Sequence, residues 1–138
     1  VYISWSAQNR SALVRVPLSR KQGTRVELRS PDPSCNVYLA LAVMIRAGLD
    51  GIERELEPPA SLNRNIYSLS PREREEYGIR SLPGSLADAL DAMERDPLIR
   101  ETLGEHIYTR FLEAKRIEWD IYRSQVHQWE LDQYLGVF

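Results

Sequence analysis

Residues 25–52, RVELRSPDPSCNVYLALAVMIRAGLDGI, contain the change of hydrophobic period that decides the fold. Arg25, Glu27 and Arg29 alternate with two aliphatic residues, so a strand here carries its charges on one face and its apolar side chains on the other. Two prolines then end the alternation, and the long apolar run that follows indicates a helix from about Val37. This stretch therefore predicts a short strand followed directly by a helix.

A second strand is predicted just before this one. The run SALVRVPL at 11–18 is rich in aliphatic and β-branched residues, and the polar link SRKQG at 19–23 contains the turn-favouring Gly23. Two antiparallel strands joined by a polar loop are the simplest interpretation of this region.

The helix after the strands is apolar on nearly all sides, so we expect it to be buried on nearly all sides. Ser34 or Asn36 is in position to cap its N-terminus. A chain of 138 residues has limited ability to surround such a helix, which suggests that packing partners are missing. The unbroken apolar run Val37–Ile45 is far shorter than the ~20 residues that cross a bilayer, so no membrane anchor is expected.

The rest of the chain is interpreted as loops and helices. A loop-rich region at 57–84 contains one short helix capped by Ser70, and a further helix capped by Ser85 follows. After a helical turn stopped by Gly104, a long helix with two apolar stripes runs over about 105–126. The predicted fold class is α+β, with an N-terminal antiparallel strand pair followed by a mainly helical segment.

The composition is that of a single globular domain of 138 residues, with 43% hydrophobic and 28% charged residues. Lysine and arginine number 18 against 20 acidic residues, and the net charge of −2 argues against a nucleic-acid partner. A single cysteine, Cys35, excludes an internal disulfide and a cysteine-rich metal site. The start VYISWSAQ has neither an initiator methionine nor a targeting signature, so we expect the chain to be part of a longer protein.

The concentration of arginine near the N-terminus admits two interpretations. A charged strand face is most often solvated, with Glu27 as an ion-pair partner of its neighbours. Alternatively, guanidinium groups on adjacent strands bind phosphate or carboxylate ligands, and Glu27 is one oxygen ligand of a divalent cation. One glutamate cannot hold such an ion, so the other ligands would lie outside this sequence. Neither His106 nor His127 has a partner at metal-binding spacing.

Four segments resemble, in the right order, the C-terminal part of the catalytic domain of type I glutamine synthetase. They are AQNRSALVRVP (7–17), RVELRSPDPSCNVYLALAVMIRAGLDGI (25–52), NIYSLS (65–70) and EWDIYRSQVHQWELDQY (118–134). The resemblance covers essentially the whole chain. It implies that 1–138 is a C-terminal fragment of the α/β catalytic domain, in which 1–33 forms active-site strands and 34–138 forms the helical part.

The resemblance implies an ATP-dependent carbon–nitrogen ligase. In this family ATP phosphorylates the side-chain carboxylate of glutamate, and ammonia then displaces phosphate to give glutamine. The full-length parent is accordingly expected to bind L-glutamate, ATP, ammonia and Mg²⁺ or Mn²⁺, and to be a cytoplasmic two-ring homododecamer. The chain alone is expected to be inactive, because most of the family's metal ligands lie outside it.

The site residues are assigned by their matching motif positions. Glu27 corresponds to the carboxylate that holds the metal bridging the nucleotide phosphates. Arg29 corresponds to the catalytic arginine that binds glutamate and stabilises the phosphoryl group. Arg10 and Arg15 correspond to the phosphate-facing arginines of NRSxxxR, with Arg10 also implied in catalysis and glutamate binding, and Arg25 corresponds to a nucleotide-side arginine. Their shared task is to neutralise charge that develops during phosphoryl transfer.

Three positions bear on how far the resemblance extends. Gln22 stands where some members have a lysine, which puts one nucleotide contact in question. Val37 stands where the family often has a proline, and this affects entry into the helix more than the site. Tyr67 matches a tyrosine that is adenylylated in some members, but the closing segment is closer to the subtype regulated without adenylylation. We therefore interpret Tyr67 as a structural, loop-anchoring residue.

Two alternative functions remain open on the sequence. One is a non-catalytic interaction module whose final helix and tail, HQWELDQYLGVF (127–138), bind neighbouring subunits or a regulatory protein. The other is a family relative that ligates glutamate to another amine, such as a polyamine, because the ammonia-site residues lie outside this sequence. Neither alternative involves a nucleic acid or a membrane as partner.

Overall fold

The computed structural model describes residues 1–137 and has the expected α+β architecture. The chain forms two compact units, of which the first is Val1–Gly84 and the second begins at Ser85. All strands of the described residues lie in the first unit, whereas the second unit is helical.

Five strands of two residues each form two small sheets in the first unit. β1 (Tyr2–Ile3) pairs antiparallel with β5 (Arg80–Ser81). In the other sheet, β2 (Trp5–Ser6) runs parallel to β3 (Val14–Arg15), which in turn pairs antiparallel with β4 (Glu27–Leu28). β3 is therefore the central strand of its sheet.

The β3–β4 pair confirms the predicted antiparallel strands, although both are shorter than the sequence pattern suggested. Val14 lies opposite Leu28 and Arg15 opposite Glu27. The link between the strands contains a turn of 3₁₀-helix at Lys21–Gly23. This register places charged side chains on one face and aliphatic side chains on the other, as alternation requires.

Helix α1 (Val37–Glu53) follows the strands where the sequence predicted it. The Asn36 side chain accepts hydrogen bonds from two backbone N–H groups of the first turn, so Asn36 rather than Ser34 is the N-cap. The expectation of burial is wrong for this chain, since no residue of α1 is buried and Ile45 is 61% exposed. The reason is that a chain of this length does not supply enough packing partners to surround the helix, so its apolar side chains stay uncovered. No helix of these residues is long and apolar enough to cross a bilayer.

The core of the first unit is small and comes from segments that are distant in sequence. Ala12 and Leu13 precede β3, whereas Ile66 and Leu69 lie more than fifty residues later, and all four are buried. Ser6 is the buried polar residue of this unit, with 0% of its surface exposed. Burial of a hydroxyl requires hydrogen-bond partners, and Ser6 has them.

Helix α2 (Pro71–Glu76) confirms the short helix predicted after Ser70. Ser70 and Glu73 form a reciprocal capping box, in which each side chain bonds to the other residue's backbone N–H. The hydrogen bonds from Ser70 lower the pKa of the Glu73 carboxyl. The cap therefore favours the ionised form of Glu73 at the positive end of the helix.

The described residues of the second unit form three helices: α3 (Leu86–Glu94), α4 (Pro97–Arg123) and α5 (Gln128–Tyr134). Leu90 of α3 and Tyr108 of α4 are its buried residues among those described. The predicted helix capped by Ser85 is confirmed as α3.

Gly104 breaks α4 at the residue where the sequence placed a stop. Its backbone has φ 72° and ψ 155°, so α4 consists of two helical segments that meet at a kink. The second segment ends at Arg123 with Ser124 as its C-cap, slightly earlier than the predicted end near Val126. The tail then forms α5, which the sequence did not predict as a separate helix.

Candidate active site

Arg15 and Glu27 face each other across the β3–β4 pair. The register places them directly opposite, and Nη1 of Arg15 lies 3.1 Å from Oε2 of Glu27. Both side chains are partly buried, with 27% and 26% of their surface exposed. Antiparallel pairing thus brings two residues from different strands into one ion pair.

Arg25 binds the same carboxylate from its own segment. Its Nε and Nη2 lie 2.8 and 2.7 Å from Oε1 of Glu27, while its Nη1 donates to the Gly23 carbonyl at 3.1 Å. The hydrogen bond from Arg25 is the main cause that lowers the pKa of Glu27; desolvation opposes it and Arg15 assists it. Glu27 is therefore an anion at neutral pH. We call Arg15, Arg25 and Glu27 the Glu27 cluster.

Arg15 retains a donor that the described residues do not use. Its Nε is buried and has no hydrogen-bond partner among residues 1–137. A buried donor without an acceptor is costly, and guanidinium N–H groups pair well with phosphate and carboxylate oxygens. Because this atom has almost no accessible surface, an anionic ligand would pair with it only if the Arg15 side chain moved.

Arg10 and Arg29 lie outside the Glu27 cluster. Both residues are exposed, and within residues 1–137 neither guanidinium group has a hydrogen-bond or ion-pair partner. The backbone N–H of Arg29 donates to the Leu13 carbonyl at 2.9 Å, which extends the β3–β4 ladder by one pair. The structure thus fixes the backbone of Arg29 while its side chain stays available to a ligand.

The loop that carries Arg10 is fixed by polar residues that the sequence reasoning missed. Asn9 Oδ1 accepts hydrogen bonds from the N–H and Oγ of Ser11 at 2.8 and 2.7 Å, and its amide donates to two carbonyls in the segment 59–66. The buried Ser6 Oγ accepts from the N–H of Asn9 at 3.1 Å. Serine and asparagine in such density are typical of turns, and this was the signal available in the sequence.

Tyr67 lies in a short 3₁₀-helix, Ile66–Ser68, and is 67% exposed. Its N–H donates to Asn65 Oδ1 at 3.1 Å, and its ring packs against Tyr2 with centroids 5.8 Å apart. The Arg74 guanidinium lies over the Tyr2 ring at 5.0 Å from its centroid. These contacts anchor the loop, but the interpretation of Tyr67 as a structural residue stays a prediction.

Glu27 suits a divalent cation as one ligand of a shared site. Its carboxylate is ionised and partly buried, and hard oxygen ligands are those that Mg²⁺ and Mn²⁺ prefer. Residues 1–137 contain no group of three His, Cys, Asp or Glu side chains that could hold a metal ion. The residues present therefore fit a metal only if further ligands come from elsewhere.

Comparison with known proteins identifies the family. Residues 1–134 match the family model described as glutamine synthetase, catalytic domain. This chain belongs to the glutamine synthetase family. Its fold is accordingly a fragment of the glutamine synthetase catalytic domain, with two antiparallel strands followed by a mainly helical part.

Three relatives show how far this glutamine synthetase likeness extends. The chain is 62% identical to the glutamine synthetase of Thermus thermophilus, over 99% of this chain and 30% of that protein. It is 56% identical to the glutamine synthetase of Methanosarcina mazei, over 99% of this chain and 31% of that protein. A solved structure of apo GmaS without ligand superposes with a TM-score of 0.80 at 36% identity, over 96% of this chain and 30% of that one. The chain thus spans about 30% of the length of the curated relatives it matches.

Proposed function

We propose that this chain is the C-terminal part of a glutamine synthetase whose full-length form converts L-glutamate, ATP and ammonia into L-glutamine, ADP and phosphate. The observation that carries the proposal is the 62% identity to a glutamine synthetase over 99% of the chain. The Glu27 cluster supports it, because an ionised carboxylate between two guanidinium groups suits a site for metal-bound phosphate.

The proposed reaction has two steps. An oxygen of the glutamate side-chain carboxylate attacks the terminal phosphorus of ATP, and the bond from that phosphorus to the ADP oxygen breaks, giving γ-glutamyl phosphate. Ammonia then attacks the acyl carbon and loses a proton, and the carbon–oxygen bond to phosphate breaks. Negative charge is redistributed over phosphoryl oxygens in both steps, so fixed cationic donors lower the barriers.

The Glu27 cluster would serve the nucleotide side of this reaction. Glu27 would hold Mg²⁺ or Mn²⁺ as one ligand among several, and the bound ion would neutralise charge on the phosphates. Arg15 and Arg25 keep Glu27 ionised by hydrogen bonding to it.

Arg10 and Arg29 would serve the transferred phosphoryl group and the glutamate substrate. Their side chains are exposed and lack partners among residues 1–137, so binding an anion breaks no existing ion pair. Guanidinium groups bind carboxylate and phosphate bidentately, which fixes the orientation of the ligand as well as its position.

The full-length parent is further proposed to be a cytoplasmic two-ring homododecamer in which a neighbouring subunit helps to complete the site. Exposed apolar residues of the second unit support subunit contacts there, since Ile117, Ile121 and Trp129 are 61%, 59% and 64% exposed. The same surface near the C-terminus could receive a regulatory protein.

The proposal is tested by Glu27→Gln in the full-length parent, which keeps the shape of the side chain and removes its charge. We expect kcat to fall by on the order of 100-fold or more while the assembly stays intact, because one metal ligand is lost. The measurement is ammonia-dependent phosphate release together with the molecular mass of the assembly. Glu76→Gln is the matched control, since Glu76 is 59% exposed and, within residues 1–137, its carboxylate pairs with Arg72 alone.

Full turnover by the Glu27→Gln enzyme would contradict the proposal. ATP- and glutamate-dependent phosphate release by the purified 138 residues alone would contradict the assignment of an incomplete site. Comparison of ammonia with polyamines as acceptors for the full-length parent decides the substrate, and a strong preference for a polyamine would replace glutamine synthesis by the related amine ligation.

A further inference from the structure

We propose that Asn9, Ser6 and Asn63 are positioning residues for Arg10, because their hydrogen bonds fix the loop that presents its guanidinium group. The inference rests on the proposed function, which gives Arg10 its role at the phosphoryl group and the glutamate substrate. None of the three side chains is a candidate ligand for substrate here, since each is engaged within the loop network.

Asn9 uses both ends of its amide. Its Oδ1 accepts from the N–H and the Oγ of Ser11 at 2.8 and 2.7 Å. These bonds close a local turn that has Arg10 as its central residue. Its Nδ2 donates to the carbonyl of Leu62 at 3.3 Å and to that of Arg64. The residues before and after Arg10 are therefore both held by side-chain hydrogen bonds.

Ser6 and Asn63 connect this turn to the segment 59–66. Ser6 Oγ accepts from the backbone N–H of Asn9 at 3.1 Å and donates to Asn63 Oδ1 at 2.8 Å. Ser6 is fully buried and its Oγ also accepts from the N–H of Gln8 at 3.3 Å, so loss of the bond to Asn63 would leave the buried hydroxyl proton without an acceptor. This makes the network costly to rearrange.

Further hydrogen bonds join the same two stretches of chain. The N–H of Leu62 donates to the Trp5 carbonyl at 2.9 Å, and the N–H of Ile66 donates to Ser11 Oγ at 3.0 Å. Ile66 is itself fully buried. The Arg10 loop and the segment 59–66 thus form one hydrogen-bonded body.

Arg10 needs such support because its own side chain is exposed and has no partner among residues 1–137. A flexible guanidinium group on a mobile loop would lose orientation entropy at each binding event. A loop held at both neighbours of Arg10 limits this loss, and a displacement of about 1 Å in such a group can cost on the order of 100-fold in rate.

The test is Asn9→Ala in the full-length parent, with Gln8→Ala as control. Gln8 is the exposed neighbour whose side chain makes no hydrogen bond within the described residues. We expect kcat/KM for glutamate to fall by about 10- to 100-fold in Asn9→Ala and to change little in Gln8→Ala. Asn63→Ala removes one bond to Ser6 and is expected to give a smaller loss in the same direction.

A double-mutant cycle with Arg10→Ala separates positioning from general destabilisation. If Asn9 acts through Arg10, Asn9→Ala has little further effect on kcat/KM in the Arg10→Ala background. If the two losses multiply, or if Asn9→Ala and Asn63→Ala are harmless while Arg10→Ala is not, the positioning inference is overturned. Should Asn9→Ala fail to assemble, Asn63→Ala takes its place in the cycle.

The cycle also distinguishes this inference from the proposed function. Unchanged kinetics of Arg10→Ala would remove Arg10 from the active site and overturn both its proposed role and the positioning inference, while the Glu27→Gln result still decides the proposed function. Impaired kinetics of Arg10→Ala together with additive effects would overturn the positioning role alone.

Discussion

At the scale of single residues, the Glu27 cluster shows how a strand face becomes a candidate site. Glu27 receives hydrogen bonds from Arg25 and Arg15, and its pKa is lowered as a result. The arginine Nε left without a partner in residues 1–137 distinguishes this face from an ordinary solvated row of charges. The interpretation of these residues as phosphate-site components rests on their motif positions and on the 62% identity to a glutamine synthetase, and the ion-paired cluster supports it.

The lowered pKa of Glu27 predicts a pH effect of Arg25→Met. A carboxyl whose pKa is lower in the folded than in the unfolded state stabilises the fold above its ordinary range, and this contribution is lost as pH falls through the lowered pKa. Arg25→Met removes the main cause of the lowered pKa, so Glu27 should become protonated at a higher pH. Because protonation removes the proposed metal ligand, the acidic limb of the pH profile of kcat should move to higher pH. The profile of the full-length parent measures this shift.

Arg54→Met serves as the control for that profile. Arg54 also pairs with a carboxylate, Asp50 at 3.1 Å, but lies at the end of α1 and is 64% exposed. An acidic limb that moves equally in both variants, or in neither, would exclude Glu27 as the group that sets it.

Residue pairing within the site was partly predictable. Alternation in one strand and antiparallel pairing with the next are local rules, and they bring Arg15 to Glu27. The support of Asn9 by carbonyls more than fifty residues away was not predictable, because hydrogen bonds to backbone carbonyls leave no periodic trace in the sequence.

At the scale of secondary-structure elements, the boundaries follow from capping residues and backbone conformation. Asn36, Ser70 and Ser85 each accept a hydrogen bond from the first turn of the helix that follows. Gly104 has a backbone conformation that other residues rarely adopt. These local devices are readable in the sequence because they depend on residue type at one position.

Gly104→Ala is expected to destabilise the second unit. The backbone at φ 72° and ψ 155° strains any residue with a Cβ, although no atom lies within 4 Å of the position that the Cβ would take. The expected cost is about 1–3 kcal/mol of unfolding free energy. Thermal denaturation of the full-length parent measures it, and Arg110→Ala, at a 69% exposed position of the same helix, is the control.

An unchanged melting temperature in Gly104→Ala would mean that α4 can straighten without loss. In that case the kink would not be fixed by the conformation of Gly104. A loss of the expected size in the Arg110→Ala control would instead point to general sensitivity of the helix.

Other elements were beyond sequence reasoning for a physical reason. β1 and β5 are two residues long and lie almost eighty residues apart, so neither contains a hydrophobic period. Residues 124–127 interrupt the helix between α4 and α5, although the sequence shows a continuous run of helix-compatible residues there. Short elements depend on their tertiary partners, which the local pattern does not contain.

At the scale of the whole molecule, α1 presents an apolar face that residues 1–137 do not cover. Leu41, Ile45 and Leu49 recur at four-residue spacing and are 48%, 61% and 48% exposed. The relatives are about three times as long as this chain, which covers 30% of the Thermus thermophilus protein. We expect the remaining part of the parent chain to cover this face.

The isolated chain is therefore expected to self-associate. An exposed apolar stripe of this size favours contact between copies, so light scattering should show oligomers at micromolar concentration. Ile45→Lys should reduce this association, whereas Thr24→Lys, at an exposed polar position, should not. In the full-length parent the effect should reverse, with Ile45→Lys lowering stability because the lysine is buried there.

A monomeric isolated chain would contradict the expectation, as would an Ile45→Lys parent with unchanged stability. The first result would show that the stripe is tolerated in water. The second would show that no other part of the parent packs on α1.

The parallel pairing of β2 with β3 gives the N-terminal loop one more property. Parallel neighbours are usually joined by a crossover of a dozen or more residues, but here only residues 7–13 lie between the two strands. Because this link is so short, its length fixes where Arg10 stands relative to the two strands. Substitutions along the link keep that length, whereas an inserted or deleted residue would alter the register of β2 and β3.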